Sequence, residues 1–229
     1  MMMQSMCETI IIFDLDDTLY KEIDFVKSAY SEICTRIQRK YTLTNTLCCE
    51  ELMDIFFRGE NVFEYVNKIS CLNIPIETYL SWYRLHKPEV HLSEETKSVL
   101  SFLKEKQWII GLITDGRSVT QRNKIEALSL NHFIENTHIV ISEEFGSEKP
   151  SLANYEYFMK LYPNAKRFIY VGDNVKKDFI TPNQIGWTTI GIVDDGRNIH
   201  KQNISYSKEY LPTYWISEFQ EIIPIIQTL

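Results

Sequence analysis

The sequence predicts an α/β fold: a parallel sheet with helices on both faces, interrupted by an inserted helical subdomain. Three observations lead there. Short apolar runs recur along the 229 residues without polar alternation, as strands buried on both faces require. Helix-like segments separate those runs, the pattern of a sheet joined by crossover connections. One stretch, 21–92, has helical patterning with no convincing strand and is too long for a simple connection.

Taken in order, the first strand is 9–13, four of whose residues (Ile10, Ile11, Ile12 and Phe13) are apolar. The helical stretch follows, with breaks expected at 41–44 and at Ile74-Pro75-Ile76. Its aromatic residues Phe56, Phe57, Phe63, Tyr65, Tyr79, Trp82 and Tyr83 stand at helical spacing and read as a core. Arg58, Arg84, His86 and Lys87 read as solvated surface. A helix over 94–106 has Ser93 as its N-cap, acids in its first turn and lysines in its last. Strands are predicted at 108–113 and 138–141, then a helix over 151–161 with Leu152, Tyr155, Phe158 and Met159 on its buried face. Strands at 168–171 and 188–193 come next, and a last helix over 218–227 that Pro224 kinks or shortens.

Composition narrows the function classes. The formal charge of -7 and pI near 5.3 argue against non-specific nucleic-acid binding, which needs a basic face. The start of the chain lacks a basic region followed by an apolar run, so no signal peptide is expected, and no stretch is long and apolar enough to predict a membrane span. Cys7, Cys34, Cys48, Cys49 and Cys71 are odd in number and irregularly spaced. They read as reduced thiols of a cytoplasmic protein, and without paired Cys/His spacing no zinc site is expected.

The polar residues just beyond the strands carry the chemistry. Asp14 and Asp16 follow the first strand at i, i+2 spacing, which in extended chain puts both side chains on one face. Burying charge is costly unless it is paired or bound to metal, so such a pair marks a site. One carboxylate can serve as nucleophile and the other as proton donor. Ligands of open α/β sheets gather at the carboxyl ends of the strands. There the sequence also places Thr114, Asp115 and Gly116, then Lys149-Pro150, then Gly172-Asp173-Asn174 and Asp178. Asp17 and Thr18 read as structural, capping and hydrogen-bonding the turn.

With these residues in view, the chain resembles the haloacid dehalogenase-like (HAD) superfamily. Asp14-Leu15-Asp16-Asp17-Thr18 matches its DxDxT motif, Thr114 its second, Lys149 before Pro150 its third, and Gly172-Asp173 through Asp178 its GDxxxxD motif, all in order. The resemblance implies a Rossmann-like core domain over 1–20 and 93–229 and a C1-type helical cap over 21–92. It implies Asp14 as nucleophile forming an aspartyl-phosphate, Asp16 as general acid and then base, and Thr114 and Lys149 as partners of the phosphoryl group. It implies a backbone cradle at Asp115 and Gly116. Mg²⁺ would be held by Asp14, the Asp16 carbonyl and Asp173, with Asp178 supporting the metal or Lys149. The expected activity is a Mg²⁺-dependent phosphohydrolase acting on a small phosphorylated metabolite, a phosphosugar or a nucleotide, with no nucleic acid or membrane as partner. A phosphomutase shares every core motif, and a non-catalytic binding or regulatory protein on this fold is the different-class alternative. A 2-haloacid dehalogenase needs no acid at Asp16, and no lysine of 21–92 stands in the context a phosphonate hydrolase requires.

Overall fold

The computed structural model describes residues 9–41 and 47–229. Six strands form one sheet: β1 (Thr9–Phe13), β2 (Ile109–Thr114), β3 (Ile139–Ile141), β4 (Arg167–Gly172), β5 (Thr188–Ile192) and β6 (Tyr214–Ile216). Their order is β3-β2-β1-β4-β5-β6, and every pair is parallel. The chain runs outward from β1 through β2 to β3, then crosses back to β4 on the other side. The reversal lies between β1 and β4, where an open sheet leaves a crevice at its carboxyl edge.

The helices are α1 (Glu22–Lys40), α2 (Cys49–Phe57), α3 (Val62–Ser70), α4 (Ile76–Leu85), α5 (Glu94–Glu105), α6 (Ser118–Ala127), α7 (Ser142–Phe145), α8 (Leu152–Leu161), α9 (Ile180–Gln184) and α10 (Ile222–Thr228). Alternate residues of β1 feed opposite layers. Ile11 and Phe13 join one apolar cluster with Leu100, Leu103 and Ile222, while Ile10 and Ile12 join another with Tyr155 and Phe158. That two-sided burial is why the strands lack polar alternation. Helices α1–α4 hold a third cluster of their own, built around Ile33, Ile37, Leu52, Val66 and Tyr79.

Several expectations shift in detail. The short edge strand β6 is not anticipated by the sequence; three residues give almost no periodic signal. Gly191 of β5 makes room for it, since a Cβ there would meet Trp215 at 2.8 Å. The predicted last helix is a 3₁₀ turn, Phe219–Glu221, followed by α10, whose third residue is Pro224. Proline is tolerated there because first-turn N–H groups have no helical partner. On α8 the buried residues are Asn154, Tyr155 and Phe158, whereas Leu152 and Met159 are exposed, because only a narrow strip of the helix meets the sheet. The Phe158 ring lies over Gly111 of β2, where a Cβ would stand 2.5 Å from it.

The aromatic core expected in the helical stretch forms around Tyr79, which stacks on Phe63, but Phe57 points to solvent. His86, expected on the surface, is buried: Nδ1 donates to the Tyr83 carbonyl and Nε2 meets the Ser28 hydroxyl. Pro75 caps α4, as the expected break implies, and Ser93 caps α5 by accepting the Thr96 N–H at 3.0 Å. The expected break at 41–44 falls largely outside the described residues, as do Cys7 and the chain start. Among the described residues no helix is long and apolar enough to cross a membrane.

Candidate active site

Parallel strands bring the separate polar segments to one edge. Asp14 and Asp16 leave the carboxyl end of β1, Thr114 is the last residue of β2, and Asp173 follows the last residue of β4. Lys149 arrives from the loop between α7 and α8, and Asp178 from the turn between β4 and α9. Asp14, Thr114, Lys149, Asp173 and Asp178 are all buried.

Lys149 is the hub. Its Nζ lies 2.6 Å from Asp14 Oδ1 and 2.8 Å from Asp178 Oδ1. The other oxygen of Asp178 accepts the N–H groups of Asn174, at 2.8 Å, and Asp173, at 3.2 Å. Asp178 is thus the base of the loop that carries Asp173, with no share in a helix surface. Gly172 permits this, since a Cβ there would lie 2.5 Å from Asp178 Oδ2.

Burial pushes the Asp14 carboxyl up to about 7 against the pull of the Lys149 charge. Burial, reinforced by the charges of Asp178 and Asp14, pushes Asp173 up to about 9. Burial disfavours the Lys149 ammonium, but Asp14 and Asp178 outweigh it and hold the group well above its ordinary value.

The donor set suits a hard cation. Asp14, Asp173 and Asp178 each offer an oxygen, and the three atoms lie within 4.8 Å of one another. Asp178 is already committed to Lys149 and two amides, which leaves Asp14 and Asp173 as the carboxylates best placed for a metal. Few carboxylates and only oxygen donors fit Mg²⁺, which keeps several waters. Two buried carboxylates raised by burial and by the charges of neighbouring carboxylates are the groups a divalent cation relieves.

Asp16 stands apart from that triad. Its Oδ1 accepts the Tyr20 hydroxyl at 2.6 Å and Lys124 Nζ at 2.7 Å; its Oδ2 accepts Gln121 Nε2 at 2.9 Å. Burial alone would raise its pKa, but Lys124 and these hydrogen bonds outweigh that and hold the carboxyl below its ordinary value. Gln121 also donates to Thr114 Oγ1 at 2.5 Å and to the Asp115 carbonyl at 3.1 Å. The Asp115 side chain accepts the Lys149 N–H and pairs with Lys177 at 2.8 Å. Gly116 has φ of 142°, and its N–H donates to Ser142 Oγ at 2.9 Å, so that amide is not aimed at the cavity.

A cavity of about 120 Å³ is lined by Asp14, Asp16, Thr114, Asp115 and Asp173, together with Lys177 and His200. Gln121, Lys124, Lys177 and the contacts that the loop after β5 makes to Asp173 escape sequence reasoning. In that loop Asn198 donates to Asp173 Oδ2 at 2.9 Å and Gln202 to the Asp173 carbonyl at 2.8 Å. Asp17, at φ 56°, caps as expected, accepting the N–H groups of Glu22 and Ile199. Thr18 departs from expectation: its backbone N–H closes the turn onto Leu15, while its buried hydroxyl has no hydrogen-bond partner among the described residues.

The chain is similar in sequence and fold to known proteins. The family of haloacid dehalogenase-like hydrolases matches residues 11–192. A glyceraldehyde 3-phosphate phosphatase of Methanocaldococcus jannaschii is 30% identical over 234 residues, covering 96% of this chain and 97% of its own. A second, from Methanothermobacter thermautotrophicus, is 26% identical over 79% of this chain and 83% of its own. Among solved structures, the magnesium-bound HAD-hydrolase YfnB from Bacillus subtilis superposes with a TM-score of 0.67 at 22% identity, covering 95% of this chain and 98% of that one.

Proposed function

This chain belongs to the haloacid dehalogenase-like hydrolases and is a phosphatase of that family; from that premise we propose that it is a Mg²⁺-dependent phosphohydrolase acting on a small phosphosugar, with residues 21–92 as its cap. The observation that carries the reading is the buried cluster of Asp14, Lys149 and Asp173, of which Asp14 and Asp173 line a small cavity. The phosphosugar class is supported by the names of relatives aligned over most of the chain, and the size of the cavity suits a phosphate with little else enclosed.

Asp14 attacks phosphorus and forms the aspartyl-phosphate. Asp16, held ionised by Lys124 in the free site, takes up a proton as the anionic phosphoryl group arrives, gives it to the departing oxygen, and then takes one from the water that hydrolyses the intermediate. Lys149 offsets the repulsion between the Asp14 carboxylate and the anionic phosphoryl group, and the Thr114 hydroxyl hydrogen-bonds a phosphoryl oxygen. Asp178 holds Lys149 in place and ties down the amides beside Asp173. Asp14, Asp173 and the Asp16 carbonyl would hold Mg²⁺, which would supply positive charge to offset the negative charge of the phosphoryl group.

The test is phosphate release from glyceraldehyde 3-phosphate, other sugar phosphates, nucleoside monophosphates and an aryl phosphate, with Mg²⁺ and with EDTA. Mg²⁺-dependent release with the sugar phosphates ranked first is the expected result. Preference for nucleotides overturns the substrate class, and conversion of a sugar phosphate to its isomer without phosphate release points to a phosphomutase.

A further inference from the structure

The Asp16 carboxyl is aimed by a helix far from it in sequence. Gln121 and Lys124 stand at i, i+3 on α6, so both side chains leave the same face. Each donates to a different oxygen of Asp16, at 2.9 and 2.7 Å, which fixes the plane of the carboxyl as well as its position. Lys124 is 3% exposed, and a buried ammonium is retained only with compensating charge. It has two such partners, since Glu22 Oε1 lies 3.5 Å from the same Nζ. The Phe25 ring lies 4.3 Å from that Nζ and supplies a cation–π face.

Glu22 and Phe25 belong to the first turn of α1, where the chain enters the helical stretch. Elsewhere α6 meets the far end of that stretch: Thr120 donates to the Arg84 carbonyl and Asn123 to the His86 carbonyl. One buried cation therefore touches the Asp16 carboxyl and the first turn of the cap together.

We propose that Lys124, assisted by Gln121, is the positioning residue for Asp16, setting the direction in which that carboxyl meets the leaving-group oxygen and coupling it to the seating of α1 through Glu22 and Phe25. The inference rests on the reading of Asp16 as proton donor given above. In that step the Asp14–phosphorus bond forms, the bond from phosphorus to the leaving oxygen breaks, and the leaving oxygen takes the proton that Asp16 acquired when the anionic substrate bound. Lys124 transfers no proton.

The test uses the dependence on leaving group. An alkoxide leaves only with a proton supplied, whereas p-nitrophenolate leaves without one. The ratio kcat/KM reports the steps through departure of the leaving group, so hydrolysis of the aspartyl-phosphate does not enter for either substrate. Lys124→Met and Lys124→Arg are compared with the wild-type chain on glyceraldehyde 3-phosphate and p-nitrophenyl phosphate.

A positioning role predicts that Lys124→Met loses about 10²–10⁴-fold on the sugar phosphate, the usual contribution of a proton donor, and under about tenfold on the aryl phosphate. Lys124→Arg recovers part of the loss. Gln121→Leu keeps the buried ion pair but also releases Thr114, so it lowers kcat/KM on both substrates and further on the sugar phosphate; it supplies the test should Lys124→Met fail to fold. Equal losses on the two substrates, in either variant, overturn the proposal while leaving the phosphatase reading intact. A wild-type chain that releases phosphate from neither substrate overturns both.

Discussion

Asp178→Asn tests the frame that holds the site together. Asp178 is fully buried, with Oδ1 2.8 Å from Lys149 Nζ and Oδ2 accepting two backbone N–H groups. Asparagine has one acceptor oxygen and one NH₂ group, so it turns a donor toward either Lys149 or the two amides. It also removes one of the two carboxylates that neutralise buried Lys149. Breaking a buried ion pair costs about 3–5 kcal/mol, and Lys149 keeps Asp14, so the lower end applies. A loss of about 3 kcal/mol lowers Tm by about 6–12 °C in a chain of this size. Urea unfolding should show a lower midpoint at unchanged slope, and kcat/KM should fall at least about tenfold, as for other groups that orient a site. A variant within about 0.5 kcal/mol of wild type, in the range of an ordinary surface change, would refute the assignment.

Other consequences follow from the same geometry. Gly172→Ala places a Cβ 2.5 Å from Asp178 Oδ2 and should reproduce much of that loss in activity; wild-type kcat/KM in this variant would show that the loop tolerates movement. Mg²⁺ at about 100 times its Kd should stabilise the protein by about 2.7 kcal/mol in thermal unfolding. Asp173→Asn should remove that shift, and an undiminished shift would place the metal elsewhere. Burial holds the His86 pKa below its ordinary value, so the unfolded chain binds that proton first as pH falls. The stability carried by neutral His86 is complete above the ordinary value of about 6.5 and is lost as pH drops from there toward the folded value. The stability difference between wild type and His86→Gln should therefore shrink from about pH 7.5 to about pH 5.5; a constant difference contradicts the sign.

Much of this architecture is legible in the sequence because strand burial and site chemistry reinforce each other. The run from Ile10 to Phe13 marks a strand covered on both faces, and a pair of carboxylates at its end has few purposes other than a site. The same logic places Thr114, Lys149 and Asp173 at one edge, since a parallel sheet aligns its strand ends. What the sequence leaves hidden lacks periodicity or depends on distant partners. Gln121 and Lys124 belong to a helix of weak amphipathic pattern, and their role appears only when α6 docks beside Asp16, more than a hundred residues away in sequence. Asn198 and Gln202 lie in an irregular loop with no pattern to mark them. His86 reads as surface because a titratable ring beside Lys87 ordinarily faces water, yet Ser28 and the Tyr83 carbonyl satisfy both its nitrogens inside.

The central claim is that Asp14, held by Lys149 at the end of β1, is the nucleophile. The most direct measurement is phosphate release from glyceraldehyde 3-phosphate with Mg²⁺ by the wild-type chain and by Asp14→Asn, with Tm recorded for both. The account predicts turnover by the wild type and a loss of at least about 10³-fold in the variant, which still unfolds cooperatively. An Asp14→Asn protein that keeps activity within about tenfold of wild type would contradict it.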